Sequence, residues 1–505
     1  DKGQGDGRPG RFDRGGKSDR GGMGSGGGKG RSEGPRDRGD SRSRDREEQK
    51  DLRPGARAIA LDILVRFESG EGLLDMLLAK GLSSAHWLDR RNRAFVNALV
   101  QGVVRHRTRL DWIIAQLSRT PLEKVETRVL CAMRLGAFQV VDMTGVPPSA
   151  AVNTTVELLK PGHDFIINYV NGLMRSLTRE AENVTLPDMA DDPVKAIAVA
   201  ESYPEWLVQR WVDRMGVDRA LELCRAGNQI APITVRANTL ACAPGELQKT
   251  LGRNVEGLAR GRLAPLAFTF TRPELPIATM DAHKKGWFAV QDEAAQLVCL
   301  LASPKAGESV LDACAGRGGK TGYLAQLLDN KGYLCAADED TRKLEQLERE
   351  MNRLGAMVGR SLMWDATRPP PRQWRDAFDC VVVDAPCTGL GVVRKHPDAK
   401  WLRDKDSVTE KARLQTRILR AAAQAVKPGG RLVYSVCSME PEEGEAVVGH
   451  FLTRNDEFGL IPAGDILDGQ AKNAATPEGW LKTSPAEHGC DGFFAACLQR
   501  KDFAQ

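Results

Sequence analysis

Two cysteines, Cys387 and Cys437, each stand where a short apolar run gives out. VVVDAPCTGLG (381–391) carries three valines into Asp384 and then breaks in a proline- and glycine-flanked turn that holds Cys387; RLVYSVCS (431–438) carries Cys437 near its end. A short β-branched run ending in Asp-x-Pro reads as a buried parallel strand, and the C-terminal strand ends are where α/β sheets carry their sites. One such cysteine is ordinarily a small buried hydrophobe. Two of them on neighbouring strand ends, facing one cavity, suit methylation at pyrimidine C5. That carbon is a feeble nucleophile until a thiolate adds to C6; C5 then becomes enamine-like and takes the methyl, and a base strips the C5 proton so that the thiol can leave. One cysteine attacks and the other helps release, and Asp384 is expected to hydrogen-bond N3 and N4 of the cytosine, supplying the proton that makes C6 electrophilic.

The same rim has a place for the methyl donor. LDACAGRGGKT begins as a strand, turns through Gly316, Gly318 and Gly319, and opens a helix. Glycines permit close backbone approach, and a helix N-terminus binds an anion or carboxylate. Such turns serve dinucleotides, nucleotides and S-adenosylmethionine alike, so the following strands must discriminate. The next strand ends at Asp338, where a carboxylate would accept ribose hydroxyls. The one after ends at Asp365, facing an adenine amino group, and the fourth ends at Asp384. No GxxxxGK[ST] loop is present. Acidic residues at successive strand ends suit S-adenosylmethionine, whose sulfonium is a cation.

The elements that must position these residues follow from periodicity. SVLDACAG, GGKTGYLAQLL, GYLCAAD, TRKLEQLEREMNRLG, SLMWD, CVVVDAP, a helix from about Val408 to Val426, RLVYSVCS and EEGEAVVGHFL alternate strand with helix, which predicts a mainly parallel doubly wound sheet over 291–503. Upstream, residues 53–182 are helical throughout, with apolar residues at three- and four-residue spacing, and form a bundle of their own. Arg90, Arg91, Arg93, Arg105, Arg107 and Arg109 crowd one helix and its exit, as a solvated face or an RNA-facing stripe; charge alone favours the solvated face. Residues 183–201, around ENVTLPDMADDP, read as a linker. Residues 202–290 read as a helical linker plus a small α+β module that includes APITVRANTL and GWFAVQD.

Composition narrows the classes. At 505 residues with 41% hydrophobic and 28% charged residues, the chain is expected to be a soluble protein of two to four domains. Eleven cysteines with no CxxC pair favour neither a disulfide framework nor a zinc site, so reduced thiols and a cytoplasmic location are expected. No apolar run is long enough to span a bilayer. Residues 1–50 hold 14 Lys and Arg against 10 Asp and Glu, a net of +4 out of +5 for the whole chain, with 15 glycines. Residues 1–52 are therefore expected to be a disordered basic tail, either solubilising or a weak, salt-sensitive RNA-binding arm.

DACAGRGGKT, DAPCTGLGVVRKHPDAKW and YSVCSMEPEEGE resemble the three signature stretches of the RsmB/Nop2/Sun family of RNA cytosine-C5 methyltransferases, and the resemblance covers nearly all of residues 54 to 500. The N-terminal helices are similar to the NusB-like RNA-binding domain of the RsmB branch. The resemblance implies a multidomain fold: a NusB-like bundle, a small α+β RNA-binding module and a Rossmann-like class I methyltransferase domain. It implies Cys437 as nucleophile, Cys387 as releasing cysteine and Asp384 as base-binding acid. S-adenosylmethionine is then held by Cys314, Ala315, Gly316, Arg317, Gly318, Gly319 and Lys320 with Asp338, Asp365 and Asp384. The implied substrate is a cytosine of 16S small-subunit ribosomal RNA, free or in an assembling particle. One departure is that the family usually writes the first motif CAAPGGKT, whereas Gly316 and Arg317 stand here for Ala-Pro, losing proline's fixed φ.

Two rival readings are weaker. An amino-group methyltransferase would carry a D-P-P-aromatic turn and no catalytic thiol, and a non-enzymatic assembly or antitermination factor leaves both cysteines unexplained. Arg394 and Lys400 flank the thiol turn and are candidates to hold RNA phosphates. The histidines, His396 included, form no ligand pattern, so no metal is expected; nor is a membrane partner, and a monomer is.

Overall fold

The computed structural model describes residues 53–160 and 162–502; the basic tail, 1–52, lies outside the described residues. Residues from Pro54 onward form one compact unit.

The N-terminal part is a bundle of helices, Ala56–Glu68, Leu74–Ser84, Arg90–Arg105, Arg107–Leu117, Thr127–Val141, Pro148–Glu157 and Asp164–Glu180. Their apolar faces meet in one core that includes Leu61, Leu99, Leu110, Met133, Leu135 and Met174. Gly102 lets two helices close: a Cβ there would sit 2.0 Å from the Phe138 ring. The arginines of this region divide: Arg90 and Arg91 are exposed, as a solvated face requires, and the others are tied to the fold. Arg105 donates to the carbonyl of Arg394, Arg107 pairs with Glu68, Arg109 pairs with Asp142, Arg93 donates to the carbonyl of Leu82, and Arg90 donates to that of Pro273. Arg105 and Arg90 thus reach other parts of the chain, and Arg93, Arg107 and Arg109 are used within the bundle.

The stretch expected to be a linker is partly folded. Asp192 caps a helix, Pro193–Ala200, by accepting from Lys195 N, and Ile197 and Ala198 are buried. This helix packs with Glu205–Met215 and Val217–Asn228 around Tyr203, Leu207 and Trp211. Leu390, Val393 and Ala399 belong to the same core, so these helices brace the segment that follows Cys387. The small module beyond them is an antiparallel sheet in the order Ala259–Arg260, Ala267–Phe270, Ile233–Ala237, Phe288–Val290.

The C-terminal sheet has the strand order Phe458–Ile461, Phe493–Arg500, Val426–Val436, Phe378–Asp384, Ser309–Asp312, Tyr333–Asp338, Arg360–Met363, and Leu481–Thr483 also pairs with Phe493–Arg500. The run from Val426–Val436 to Arg360–Met363 is parallel, while Phe493–Arg500 is antiparallel to its neighbours. The sheet is therefore mixed. The valine run behaves as its composition requires: Val382 packs in the core on one face and Val381 and Val383 in that on the other. The strand order reverses between Ser309–Asp312 and Phe378–Asp384, and the cleft at such a switch point is where α/β sheets bind ligands.

Candidate active site

Cys387 follows the strand Phe378–Asp384 by three residues and Cys437 follows Val426–Val436 by one, and pairing of these strands in register sets Asp384 opposite Ser435. The two thiols meet, Sγ to Sγ at 3.1 Å. Ser435 Oγ donates to Asp384 Oδ1 at 2.9 Å, and Lys320 Nζ donates to Oδ2 at 2.5 Å. Lys320 also lies over the Phe493 ring, 5.3 Å from its centroid. Burial pulls the Lys320 ammonium down, but the charge and hydrogen bond of Asp384 outweigh it and leave the group raised, hence charged. The Cys387 thiol is pushed well above its ordinary range, first by its hydrogen bond to Cys437 and then by burial. It therefore holds its proton.

Backbone contacts fix the spacing of the two loops. Gly391 N donates to the Cys437 carbonyl at 3.1 Å, and Gly492 N donates to the Gly391 carbonyl at 2.8 Å. A Cβ on Gly391 would fall 1.8 Å from the Gly492 oxygen, so no other residue fits there. Farther along the Cys437 loop, Glu440 is buried and accepts from Trp211 Nε1 at 2.9 Å and from Arg210 and Arg214.

Beside the thiols a cleft opens, lined by Ala313, Cys314, Gly316, Asp338, Asp365, Asp384, Pro386 and Ile418 among others. Gly318 caps the helix Gly319–Leu327 at φ +89°, and its Cβ would lie 2.9 Å from Leu347 and Met351, so the turn is packed tightly on the helix Thr341–Leu354. Gly316 has φ +56° with open space about its Cβ position, and its N–H binds Asp338 Oδ2 at 2.9 Å. Asp340 N takes the other Asp338 oxygen at 2.9 Å. Asp365 accepts the hydroxyl and N–H of Thr367, which hold its carboxyl below the usual range. Trp364, whose buried indole N–H has no hydrogen-bond partner, lines the same cleft. Oriented carboxylates, an apolar wall and an unused donor suit a nucleoside that carries a cation, so the residues present fit S-adenosylmethionine. Of the loop, Cys314 and Gly316 line the cleft, Ala315, Gly318 and Lys320 are buried, and Arg317 and Gly319 are exposed. Burial pushes the Cys314 thiol well above its ordinary range.

Two expected phosphate contacts are corrected. Lys400 is fully buried: its Nζ donates to the Arg105 carbonyl at 2.9 Å and to Asn228 Oδ1 at 3.2 Å, and sits 3.9 Å from the Tyr203 ring centroid. Arg394 is 5% exposed, with its carbonyl bound by Arg105. Both serve the junction of the bundle with the catalytic part and neither is open to a phosphate. Sequence reasoning passed over Thr388, Ser438 and Glu443, although the hydroxyl residue directly after each cysteine was a visible signal.

Comparison with known proteins agrees with this architecture. Residues 298–499 match the family described as 16S rRNA methyltransferase RsmB/F, 54–179 match the NusB family, and 203–277 match the RsmF/B-like ferredoxin-like domain. A probable ribosomal RNA small subunit methyltransferase B of Bacillus subtilis is 32% identical over 450 residues, covering 88% of this chain and 98% of that one. The crystal structure of PH0851 superposes with a TM-score of 0.73 at 25% identity, covering 89% of this chain and all of that one. NSun6 from Pyrococcus horikoshii, solved with SFG, shares the fold at a TM-score of 0.52 and 21% identity, covering 59% of this chain and 99% of that one.

Proposed function

Because the chain belongs to the ribosomal RNA small subunit methyltransferase B family, whose cofactor is S-adenosylmethionine, we propose that it methylates C5 of a cytosine in 16S rRNA through a bond between Cys437 and C6 of that base. The observation that carries the reading is the 3.1 Å pair of thiols beside Asp384, on the rim that also forms the cofactor cleft. S-adenosylmethionine, when bound, supplies the methyl group. The chain's own residues make C5 able to receive it. Cys437 Sγ attacks C6, and the C5–C6 π pair moves to C5. Asp384, fixed by Ser435 and Lys320, takes the proton that Cys437 gives up on attack and donates it to N3, while its other oxygen accepts from N4–H, which draws electron density from C6.

The two thiols share one contact in which either sulfur can donate, and that contact and burial hold the Cys387 thiol above its ordinary range. Cys437 is assigned as the attacking sulfur on the likeness of the YSVCS stretch to the family's signature. Once C6 is bonded to Cys437, that sulfur is a thioether and only a weak acceptor; Cys387 gives its proton to water and is then free to act as the base. The C5 proton passes to Cys387, its electron pair restores the C5–C6 double bond, and Cys437 leaves as thiolate.

The test is transfer of labelled methyl from S-adenosylmethionine to an unmodified transcript of small-subunit rRNA, followed by digestion to nucleosides. The label is expected in 5-methylcytidine. Label at N4 of cytidine, or in another base, contradicts the reading.

A further inference from the structure

The residue after each cysteine turns to one carboxylate. Glu443 is fully buried, and each of its oxygens takes two donors. Oε1 accepts the Thr388 N–H and Gln415 Nε2, both at 2.9 Å; Oε2 accepts the hydroxyls of Thr388 and Ser438, both at 2.5 Å. The two hydroxyl oxygens lie 3.3 Å apart. Burying a carboxylate is costly unless its lone pairs are filled, and a carboxylate has about four acceptor sites. Here all are occupied, by uncharged donors from three elements: the turn after Cys387, the turn after Cys437 and the helix Lys405–Ala423. Four hydrogen bonds on one buried carboxyl group, two of them at 2.5 Å, make the clamp stiff.

The two turns depend on it unequally. Cys437 follows a long strand by one residue, and its carbonyl is held by Gly391 N. Cys387 lies in an irregular stretch between Asp384 and Gly389, where Thr388 is the anchor. Besides Glu443, that stretch is tied by Arg403 Nε to the Thr388 carbonyl at 3.0 Å and by Gln415 Nε2 to the Pro386 carbonyl at 3.2 Å.

We propose that Glu443 is a positioning residue that sets the distance between the two thiols by clamping Thr388 and Ser438, and so controls the release step more than the attack. This rests on the reading above, in which Cys437 attacks and Cys387 accepts the C5 proton. A reacting group displaced by about 1 Å can lose on the order of 100-fold in rate. Slackening the clamp moves Cys387 and leaves Cys437 on its strand end.

The experiment is single turnover of the full chain with labelled S-adenosylmethionine and an unmodified small-subunit rRNA transcript. It is quenched in denaturant, and free methylated RNA is separated from the protein–RNA adduct. Thr388→Val removes one hydroxyl and keeps the backbone bond; Glu443→Gln can still accept from Thr388 N–H and Gln415, but its amide nitrogen is a donor, so the hydroxyls of Thr388 and Ser438 lose the acceptor they share. Both should form adduct at a rate within about threefold of the parent but release it about tenfold or more slowly, so that adduct accumulates, and Thr388→Ser should restore release. Parallel slowing of formation and release, in proportion to lost folded protein, would overturn the proposal, as would a Thr388→Ser variant as slow as Thr388→Val. Should Glu443→Gln fail to fold, the Thr388 pair decides. Cys387→Ala is run alongside. If it traps adduct while the Thr388 and Glu443 variants release normally, the positioning role alone fails; if it forms no adduct, the assignment of the two cysteines fails, and the positioning role with it.

Discussion

Lys320 Nζ and Asp384 Oδ2 form a 2.5 Å ion pair that joins the start of the cofactor-loop helix to the strand end carrying the thiol turn. The lysine side chain is 10% exposed and the aspartate 31%, so the pair is sheltered on one side and open to the cleft on the other. Its partners are mutually dependent. Lys320→Met leaves Asp384 held by Ser435 alone, and Asp384→Asn leaves a buried ammonium without a counter-charge.

From this pair a coupling energy is expected. In urea denaturation of Lys320→Met, Asp384→Asn and the double variant, the two changes should be non-additive by about 1–2 kcal/mol, a buried-pair value reduced for the open side of Asp384. Additive effects would mean that the two residues act independently.

Much of this arrangement was legible in the sequence. The valine run, the three strand-end aspartates and both cysteines declare themselves through local pattern, because a buried strand needs β-branched residues and a rim needs turn residues. Lys400 and Arg394 show where pattern fails: a cation beside a catalytic turn looks like a phosphate ligand, and only the packing of Tyr203, Arg105 and Asn228 shows that it is interior. The helix Pro193–Ala200 was hidden because an acidic, proline-bearing stretch precedes it and it is short. The antiparallel strand Phe493–Arg500 pairs with residues far upstream, a long-range fact with no local signature. Glu443 was overlooked because glutamate near a helix start normally reads as solvent-facing charge.

Lys400 yields a prediction opposite to the one its position in sequence suggests. Lys400→Ala leaves the Arg105 carbonyl and the Asn228 side-chain oxygen without their donor, at about 1–3 kcal/mol for each buried group left unpaired. Thermal unfolding should occur several degrees lower, while the dependence of RNA affinity on salt stays that of the parent. A shallower salt dependence with unchanged stability would return Lys400 to the phosphate-binding role.

Asp312 should make stability depend on pH. Burial pushes its carboxyl up to about 6; the Thr321 hydroxyl and Lys320 oppose this, and the nearby aspartates add to it. Unfolded aspartate titrates near about 4, so the folded protein holds this proton more tightly than the unfolded chain does. The stability from this group is present in full below about pH 4 and is lost as pH rises through about 6. Asp312→Asn keeps an acceptor for Thr321 Oγ1 and removes the ionisation. Its melting temperature relative to the parent should therefore rise between about pH 5 and about pH 8. A difference that does not change with pH would show that Asp312 is not titrating in that interval.

The separation of roles between the two sulfurs is the central claim, and a denaturing gel tests it most directly. Cys387→Ala, Cys437→Ala and the double variant are each incubated with small-subunit rRNA transcript and methyl-labelled S-adenosylmethionine, then denatured and run with reductant, which leaves the thioether adduct intact. Cys387→Ala should attack and methylate but fail to release, giving a slow-migrating protein–RNA band that carries the methyl label; Cys437→Ala and the double variant should give none. A band with Cys437→Ala and none with Cys387→Ala would reverse the two roles, and full turnover in both single variants would show that neither thiol takes part in the reaction.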